Sequence, residues 1–518
     1  MKELEKEDLS FNELSTNMVK NISITSGFNY FSFFILFLAK DILLYNWLDI
    51  ISASNFTIYI GYIGAFLAFM FITPAVLPKF YQEISHDKIH SFNKIIVIIL
   101  GLNFFIVFFI FSIVLLFGFN FNASQFNNFS FFIMIIIGVI AVVSFKILES
   151  AFYGLKKSKV IGIMNLSISL IFIISLIILR VFNGLNSFTA MLLYFFTYIG
   201  GLSLGLYFYL KFKSQIEIPN NLEKLDKRIG KKIIIFSYPL LLMNIFYFLN
   251  FRAGTVILGS FNQIYAVYYH LSTNLIIIFV GLIGIPINTM AYSYISEFFV
   301  SNNIDHIKKI FNFILQLISI LEITCLILIY IISPILIEFL YRNYYSLIFI
   351  ILFKIIIIAG IFYSLNQFLA KFPMANNKTK VNLLAEFIAG VSNTIFLILC
   401  IYNSNLLYAG YGFLISTLII FMIYLVFCNK NIIFSKKENI VFKIIISSIS
   451  TIIFYEIFYF FINLVWIGAI LSILLYLTLI ITLNVTSIKT MKSIMKILFD
   501  MFKGIFTKKK DSKLINIE

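Results

Sequence analysis

Residues 236–273 read FSYPLLLMNIFYFLNFRAGTVILGSFNQIYAVYYHLST, and Arg252 is their one formal charge. A single helical crossing of a bilayer core needs about 20 consecutive apolar residues. With the apolar residues on either side, this stretch supplies two crossings, predicted near 233–259 and 264–290. Asn244, Asn250, Asn274 and Asn288 place amides within them. Such amides more often bond to a neighbouring helix than hold a ligand. Pro239 and Pro286 interrupt or bound these spans. Pro286, with Gly281 and Gly284, offers the second a place to bend, because neighbouring helices can satisfy the carbonyl a proline frees.

The same pattern runs outward over the whole chain. Of its 518 residues, 61% are hydrophobic and only 12% charged, where a soluble globular chain carries about 25% charge. No water-soluble surface can be built from so few charges, which excludes a secreted disulfide scaffold, a nucleic-acid binder and a soluble enzyme with anchors. Hydropathy places spans near 22–44, 54–78, 95–118, 129–150, 160–182, 188–210, 233–259, 264–290, 310–333, 346–370, 381–402, 406–427, 441–461 and 465–486. The expected fold is therefore an all-α polytopic membrane protein with about fourteen transmembrane helices. The charged start, MKELEKEDLSFNELSTNMVK, lacks a small-residue cleavage site before the first span and reads as an uncleaved first helix. No loop is long enough for a folded soluble domain.

Fourteen spans put both termini on one side. Thirty-four of the 39 Lys and Arg residues fall in the tails and loops of that side, leaving Lys40, Arg180, Arg252, Arg342 and Lys354 for the membrane or the far side. A wrong count would scramble this alternation. The positive-inside rule then predicts that both termini are cytoplasmic. Trp47 and Trp466 fall in outer connections, where interfacial tryptophans belong. The net charge of +16 is read as topology rather than as nucleic-acid binding.

An internal repeat is visible. FLAKDILL, with Lys40, matches LNFRAGTVIL, with Arg252. The loop with Glu83 matches the loop with Glu297, and KSKV (157–160) matches KTKV (378–381). The offsets are 212, 214 and 221 residues. Six spans per half give two parallel six-helix bundles with a binding site expected between them. The expected organisation is a cytoplasmic N-terminal tail (1–21), an N-terminal bundle (22–210), a basic cytoplasmic linker (211–232), a C-terminal bundle (233–428), an appended helix pair (429–487) and a basic cytoplasmic tail (488–518).

Charges inside a membrane helix cost about 2.5–3.5 kcal/mol each at its centre and usually face a cavity. The candidates are Lys40, Asp41, Arg252, Glu322, Lys354, Glu386 and Glu456. Lys354, in LIFIILFKIIIIAGIF, lies about 12 Å inside its span at 1.5 Å per residue. It is the leading candidate for a cavity cation, against the alternative of reaching the interface or pairing with an acid such as Glu322. Lys40 and Arg252 lie near outer span ends, where snorkelling competes with a cavity position; their matching repeat positions favour the cavity. Asp41 need not neutralise Lys40, since adjacent helix residues do not face one another. Asp41 and Glu322 are candidate proton or sodium sites, weighed against structural pairing with a nearby cation. Cys325, Cys400 and Cys428 form no spacing motif, and neither a metal nor a cofactor is implied. There is no nucleotide-binding G-x-x-x-x-G-K-[ST] motif, no G-x-S-x-G and no H-E-x-x-H, so the expectation is a non-enzyme.

The arrangement of six plus six plus two spans resembles the multidrug/oligosaccharidyl-lipid/polysaccharide exporter (MOP) superfamily. Within it the chain looks like the Wzx-type polysaccharide and O-antigen flippases. The carrying segments are MVKNISITSGF, FLAKDIL and the stretch 236–273, with Pro239, Leu258-Gly259 and Tyr265 or Tyr268 in the family's order. The chain departs from the family in carrying Arg252-Ala-Gly-Thr where an aspartate is common, and its 45–56 loop lacks the usual glycine.

This resemblance implies a flippase in a bacterial inner membrane. It would carry an undecaprenyl-pyrophosphate-linked oligosaccharide, a surface polysaccharide repeat unit, from the cytoplasmic to the outer face by alternating access. Lys354, Arg252 and Lys40 would meet the anionic head, while the lipid tail stays in the bilayer. Other polysaccharide assembly proteins are conceivable partners, and a monomer suffices. The alternatives are a cation-coupled multidrug exporter of the same fold and a peptidoglycan lipid-precursor flippase.

Overall fold

The computed structural model describes residues 31–32, 34–68, 101, 103–106, 108–109, 128–154, 158–214, 227–300, 304–376, 378–430, 440–462 and 464–486. Among them all regular structure is helical. In lipid every backbone polar group must be satisfied within the protein, and a helix does this inside one segment. A π-turn, Leu38–Leu43, leads into α1 (Leu44–Trp47). There follow α2 (Ile50–Ala68), α3 (Asn128–Gly154), α4 (Ser158–Val181), α5 (Ser187–Ser214), α6 (Lys227–Phe251), α7 (Ala253–Phe261) and α8 (Gln263–Val300). Next come α9 (Ile304–Ile318), a second π-turn (Ser319–Ile323), α10 (Thr324–Leu340), α11 (Leu347–Leu369) and α12 (Lys371–Ala375). The series ends with α13 (Thr379–Asn403), α14 (Leu407–Lys430), α15 (Ile440–Ile462) and α16 (Val465–Thr482).

Eleven helical segments among the described residues are long and apolar enough to cross a membrane, and the bent pair Leu241–Phe251 and Ala253–Phe261 makes a twelfth. Each falls on one of the predicted spans, and the chain is a multi-pass membrane protein. The first predicted span is described only from residue 31, and the third, 95–118, lies mostly outside the described residues. So do the tails and the centre of the basic linker, so the count of fourteen extends beyond what the structure describes.

Three local readings change. The second helix begins at Ile50, not near 54, because Asp49 caps it: its Oδ2 accepts from the backbone N–H of Ile51 and of Ser52, both at 3.1 Å. The seventh span is not one rod; it breaks at Arg252 and turns by 45°. The eighth runs as one helix of 38 residues through the position of Pro286.

The chain divides into two compact units. One comprises Thr25–Leu282 and Ser333–Phe427; the other comprises Met1–Ile24, Ile283–Ile332 and Cys428–Glu518. In the larger unit, α3, α4 and α5 share a core of Phe145, Leu148, Phe152, Met164 and Ile168. Glycines set the approach of α5. A Cβ at Gly201 would stand 2.6 Å from Ile168 Cγ1, and one at Gly205 2.6 Å from both Leu148 and Met164. Small residues play this part in membrane packing because lipid supplies no hydrophobic drive between helices. Likewise α13 meets α6 at Gly390, where a Cβ would lie 2.9 Å from the carbonyl oxygen of Phe246. In the smaller unit, α15 and α16 pack as a hairpin, and α15 touches α9.

Candidate functional site

Three charged residues of the larger unit, Lys40, Asp41 and Arg252, sit where helices lose regularity. Lys40 and Asp41 sit in the first π-turn, a feature that recurs at functional sites because it widens the helix and re-aims side chains. Asp41 is buried and accepts a hydrogen bond from Asn274 Nδ2 of α8 at 2.8 Å. Lys40 folds back so that Nζ stands 3.6 Å from Asp41 Oδ1; their side chains are 16% and 3% exposed. The neighbours thus do pair, against the expectation for a regular helix. Just beyond, Tyr45 and Thr57 share a 2.8 Å hydroxyl bond, and Thr57 donates to the Ala53 carbonyl at 2.8 Å.

Arg252 occupies the break between α6 and α7, with φ −123° and ψ −25°, outside helical geometry. Breaking a helix frees carbonyls. Here Asn393 of α13 takes them: its Nδ2 donates to the carbonyls of Asn250 at 2.7 Å and Leu249 at 3.2 Å. Half-buried, Arg252 leans toward α2, where a Cβ at Gly64 would stand 3.8 Å from its Cγ. Among the described residues its guanidinium has no hydrogen-bond or ion-pair partner, yet its charge reaches Asp41, His270 and Tyr194. Lys40 acts on Asp41 and His270 as well. The structure therefore brings Lys40, Asp41 and Arg252 into one electrostatic neighbourhood.

The surroundings are aromatic and incompletely bonded. Tyr247 stacks on Phe251 at 4.4 Å between ring centroids, and its hydroxyl lies 3.5 Å from that of Tyr363. Tyr194 and Tyr198 are 3.4 Å apart at their hydroxyls. Asn250 faces the Glu386 carboxyl without good hydrogen-bond geometry, and Asn55, Tyr59 and Thr255 have buried polar atoms with no partner among the described residues. Buried polar groups are nearly always bonded to something, so these mark places for water or a polar ligand.

Lys354 lies half-buried in the regular helix α11 and is not among the charges acting on His270. Glu322 is in the smaller unit, on the second π-turn, buried against α8; a Cβ at Gly284 would meet its Oε1 at 2.9 Å. No group of three His, Cys, Asp or Glu placed to hold a metal occurs among the described residues. At the rim, outside the membrane segments, Asp49 has its carboxyl held below the usual range. Partial burial opposes this, but the bonds from Ser52 and Ile51 outweigh it. Arg180 lies over the Trp47 ring at 5.9 Å.

Sequence reading singled out Lys40, Asp41, Arg252, Glu322 and Lys354 but missed Asn393 and the tyrosines. Asn274 was visible there as a cross-helix amide. Asn393 was one more amide in an apolar span, and only its partner 143 residues away gives it meaning.

In fold the chain is similar to solved transporters, some of them described as members of the MOP superfamily. No protein-family profile and no curated protein matches the sequence. Solved structures do. The lipid II flippase MurJ in an inward closed conformation superposes with TM-score 0.55 at 16% identity, over 90% of this chain and 98% of that one. A MOP superfamily transporter from Pyrococcus furiosus gives 0.56 at 11%, over 80% and 95%. The eukaryotic MATE transporter AtDTX14 gives 0.53 at 14%, over 84% and 98%.

Proposed function

We propose that this protein is a flippase for a polyisoprenyl-pyrophosphate-linked oligosaccharide, moving it across a bacterial inner membrane by alternating access, with both termini in the cytoplasm. The observation that carries the reading is the state of Arg252. It is a half-buried guanidinium at a helix break, without a hydrogen-bond or ion-pair partner among the described residues, sharing Asp41 and His270 with the charge of Lys40 and acting on tyrosines nearby. Arg252, Lys40 and Asp41 together leave one net positive charge. An uncompensated buried cation favours an anionic ligand, and a guanidinium offers a phosphate paired donors. Tyrosines and unsatisfied amides suit a hydrated sugar. Lys354, Arg252 and Lys40 are the proposed binding residues, and Asp41 and Glu322 the proposed ion-coupling residues.

The sidedness of lipid-linked glycan in a deletion strain tests this. Accumulation on the cytoplasmic face, reversed by the wild type but not by Arg252→Ala or Lys354→Ala, supports a flippase with those binding residues. Normal distribution with intact surface polysaccharide overturns it. A second reading, a cation-coupled exporter of the same fold, is favoured by the two buried carboxylates, Asp41 and Glu322; cation-dependent efflux without any effect on lipid-linked glycan would select it. The MurJ likeness keeps a peptidoglycan-precursor flippase in view, distinguished by which lipid-linked glycan accumulates.

A further inference from the structure

The ninth span has two weak points, and the carbonyls concerned, between Ser319 and Ile332, lie in the smaller unit. The first is the π-turn Ser319–Ile323, which carries Glu322. The second is the turn preceding Pro334 within α10. Proline has no N–H to give the carbonyl four residues back, that of Tyr330, and its ring crowds the turn. Each weak point is met by hydroxyl groups of the appended pair. At the π-turn, Tyr476 of α16 donates to the Ser319 carbonyl at 3.1 Å, and its oxygen lies 3.0 Å from Ser319 Oγ. The Thr324 hydroxyl reaches the same carbonyl at 3.2 Å. At the proline turn, Tyr455 of α15 donates to the Ile331 carbonyl at 3.1 Å, and Tyr330 donates to Glu456 Oε1 at 2.8 Å. The two points are twelve residues apart, or about 18 Å along a helix.

The other buried hydroxyls of α15, Ser447, Ser448 and Thr451, donate to carbonyls of their own helix, and Ser448 also meets the Tyr476 hydroxyl. The buried side of α16 is Gly468, Ala469, Ser472, Tyr476 and Ile480, and the rest of the helix largely faces outward. Apolar packing alone would leave the tyrosine oxygens without a purpose in a medium where an unmet polar group is costly. In a regular α-helix the Ser319 carbonyl belongs to the N–H of Ile323. In the π-turn each carbonyl is offered to the N–H five residues on instead of four, and it is in this register that the second lone pair of the Ser319 carbonyl and its hydroxyl meet Tyr476. Relaxing the π-turn to α would rotate and shift everything beyond it by one residue.

We infer that Tyr476 and Tyr455 are positioning residues. They hold the ninth span in its π-turned, proline-weakened register, and through Ser319 Tyr476 keeps the Glu322 carboxylate buried against Gly284. The appended pair is thus a brace on the backbone of the ninth span. Only the step from Glu322 to transport rests on the functional reading above; the register does not.

Cys325, half-buried two residues beyond the π-turn, reports on it. In the full-length chain with Cys400→Ser and Cys428→Ser, the labelling rate of Cys325 by N-ethylmaleimide is measured in native membranes. Tyr476→Phe is expected to change the rate by about fivefold or more, since labelling of a half-buried thiol follows local opening. Thr478→Val, on the exposed side of α16, is expected to leave it unchanged. If Tyr476→Phe does not accumulate as folded protein, Tyr455→Phe tests the other contact, and Ser319→Ala, which removes the hydroxyl–hydroxyl contact of Tyr476 and keeps its bond to the carbonyl, is expected to give a smaller change. Unchanged labelling in Tyr476→Phe, Tyr455→Phe and Ser319→Ala overturns the brace. Where transport is measurable, a shifted pH profile in Tyr476→Phe supports the link through Glu322. Altered labelling with an unshifted profile overturns that link while supporting the brace.

Discussion

Asn274 donates to Asp41 at 2.8 Å across 233 residues of chain, fastening α8 to the π-turn of the first span. The same carboxylate faces Lys40 and lies in the field of Arg252. One buried acid thereby pairs with one cation, at position 40, and lies in the field of a second, at position 252, each on a helix irregularity.

Removing the donor tests the fastening. Asn274→Ala leaves the Asp41 carboxylate with Lys40 as its remaining contact. The expected loss is about 1–3 kcal/mol, the usual consequence of stranding a buried hydrogen-bonding group. It should be read as a lower thermal midpoint in detergent, with Asn274→Asp falling further by like-charge repulsion. A midpoint equal to that of the wild type in Asn274→Ala would show that the bond does not hold the two helices.

The binding reading makes a graded claim about Arg252. Arg252→Ala is expected to lower lipid-linked glycan translocation by about tenfold or more, equivalent to roughly 1.4 kcal/mol of lost interaction. Arg252→Lys should retain part of the activity, because lysine keeps the charge but not the paired donors. Wild-type transport by a properly inserted Lys40→Ala/Arg252→Ala/Lys354→Ala protein would remove all three from the binding role.

The spans were legible because hydropathy sums over some twenty residues, and 61% hydrophobic composition leaves little ambiguity about which segments enter lipid. The same averaging hides single-residue events. Asp49 starts α2 through two backbone bonds that no window detects. The break at Arg252 depends on Asn393 taking the carbonyls of Leu249 and Asn250, a pairing between α13 and α6 that sequence order does not reveal. The π-turns at Lys40 and Glu322 have no composition of their own, so these charges could be picked out as costly but not as sitting on irregular backbone. The Lys40–Asp41 pair lies where the chain leaves the regular helix geometry in which adjacent residues do not face one another.

Close packing beside the break gives a contrast between two glycines. A Cβ at Gly254 would press into the ring of Tyr269, whereas the nearest atom to one at Gly184 is 3.7 Å away. Gly254→Ala should therefore destabilise by about 1–3 kcal/mol, as overpacking does, while Gly184→Ala should leave the thermal midpoint unchanged. Equal midpoints for the two variants would mean that α7 and α8 have more freedom than their contact at Tyr269 indicates.

The cap of α2 carries a pH signature. Asp49 is ionised and bonded in the fold, so its carboxyl titrates below the usual carboxylate range. A depressed folded value means that its contribution is complete at neutral pH, above the unfolded value. It fades as pH falls through the unfolded value toward the folded one. Asp49→Ala should lower stability at pH 7 by about 0.5–2 kcal/mol, the range for losing a helix cap, toward the lower end because the group is exposed and screened. On acidification the gap between variant and wild type should close. Asp49→Asn, which still caps but does not titrate, should show a small deficit of its own at pH 7 that shrinks in the same direction as the wild type protonates. Thermal midpoints of the three proteins from pH 7 down to about pH 3, spanning the ordinary carboxylate value, decide it: a gap between Asp49→Ala and wild type that widens on acidification would assign the stabilisation to something other than the ionised cap.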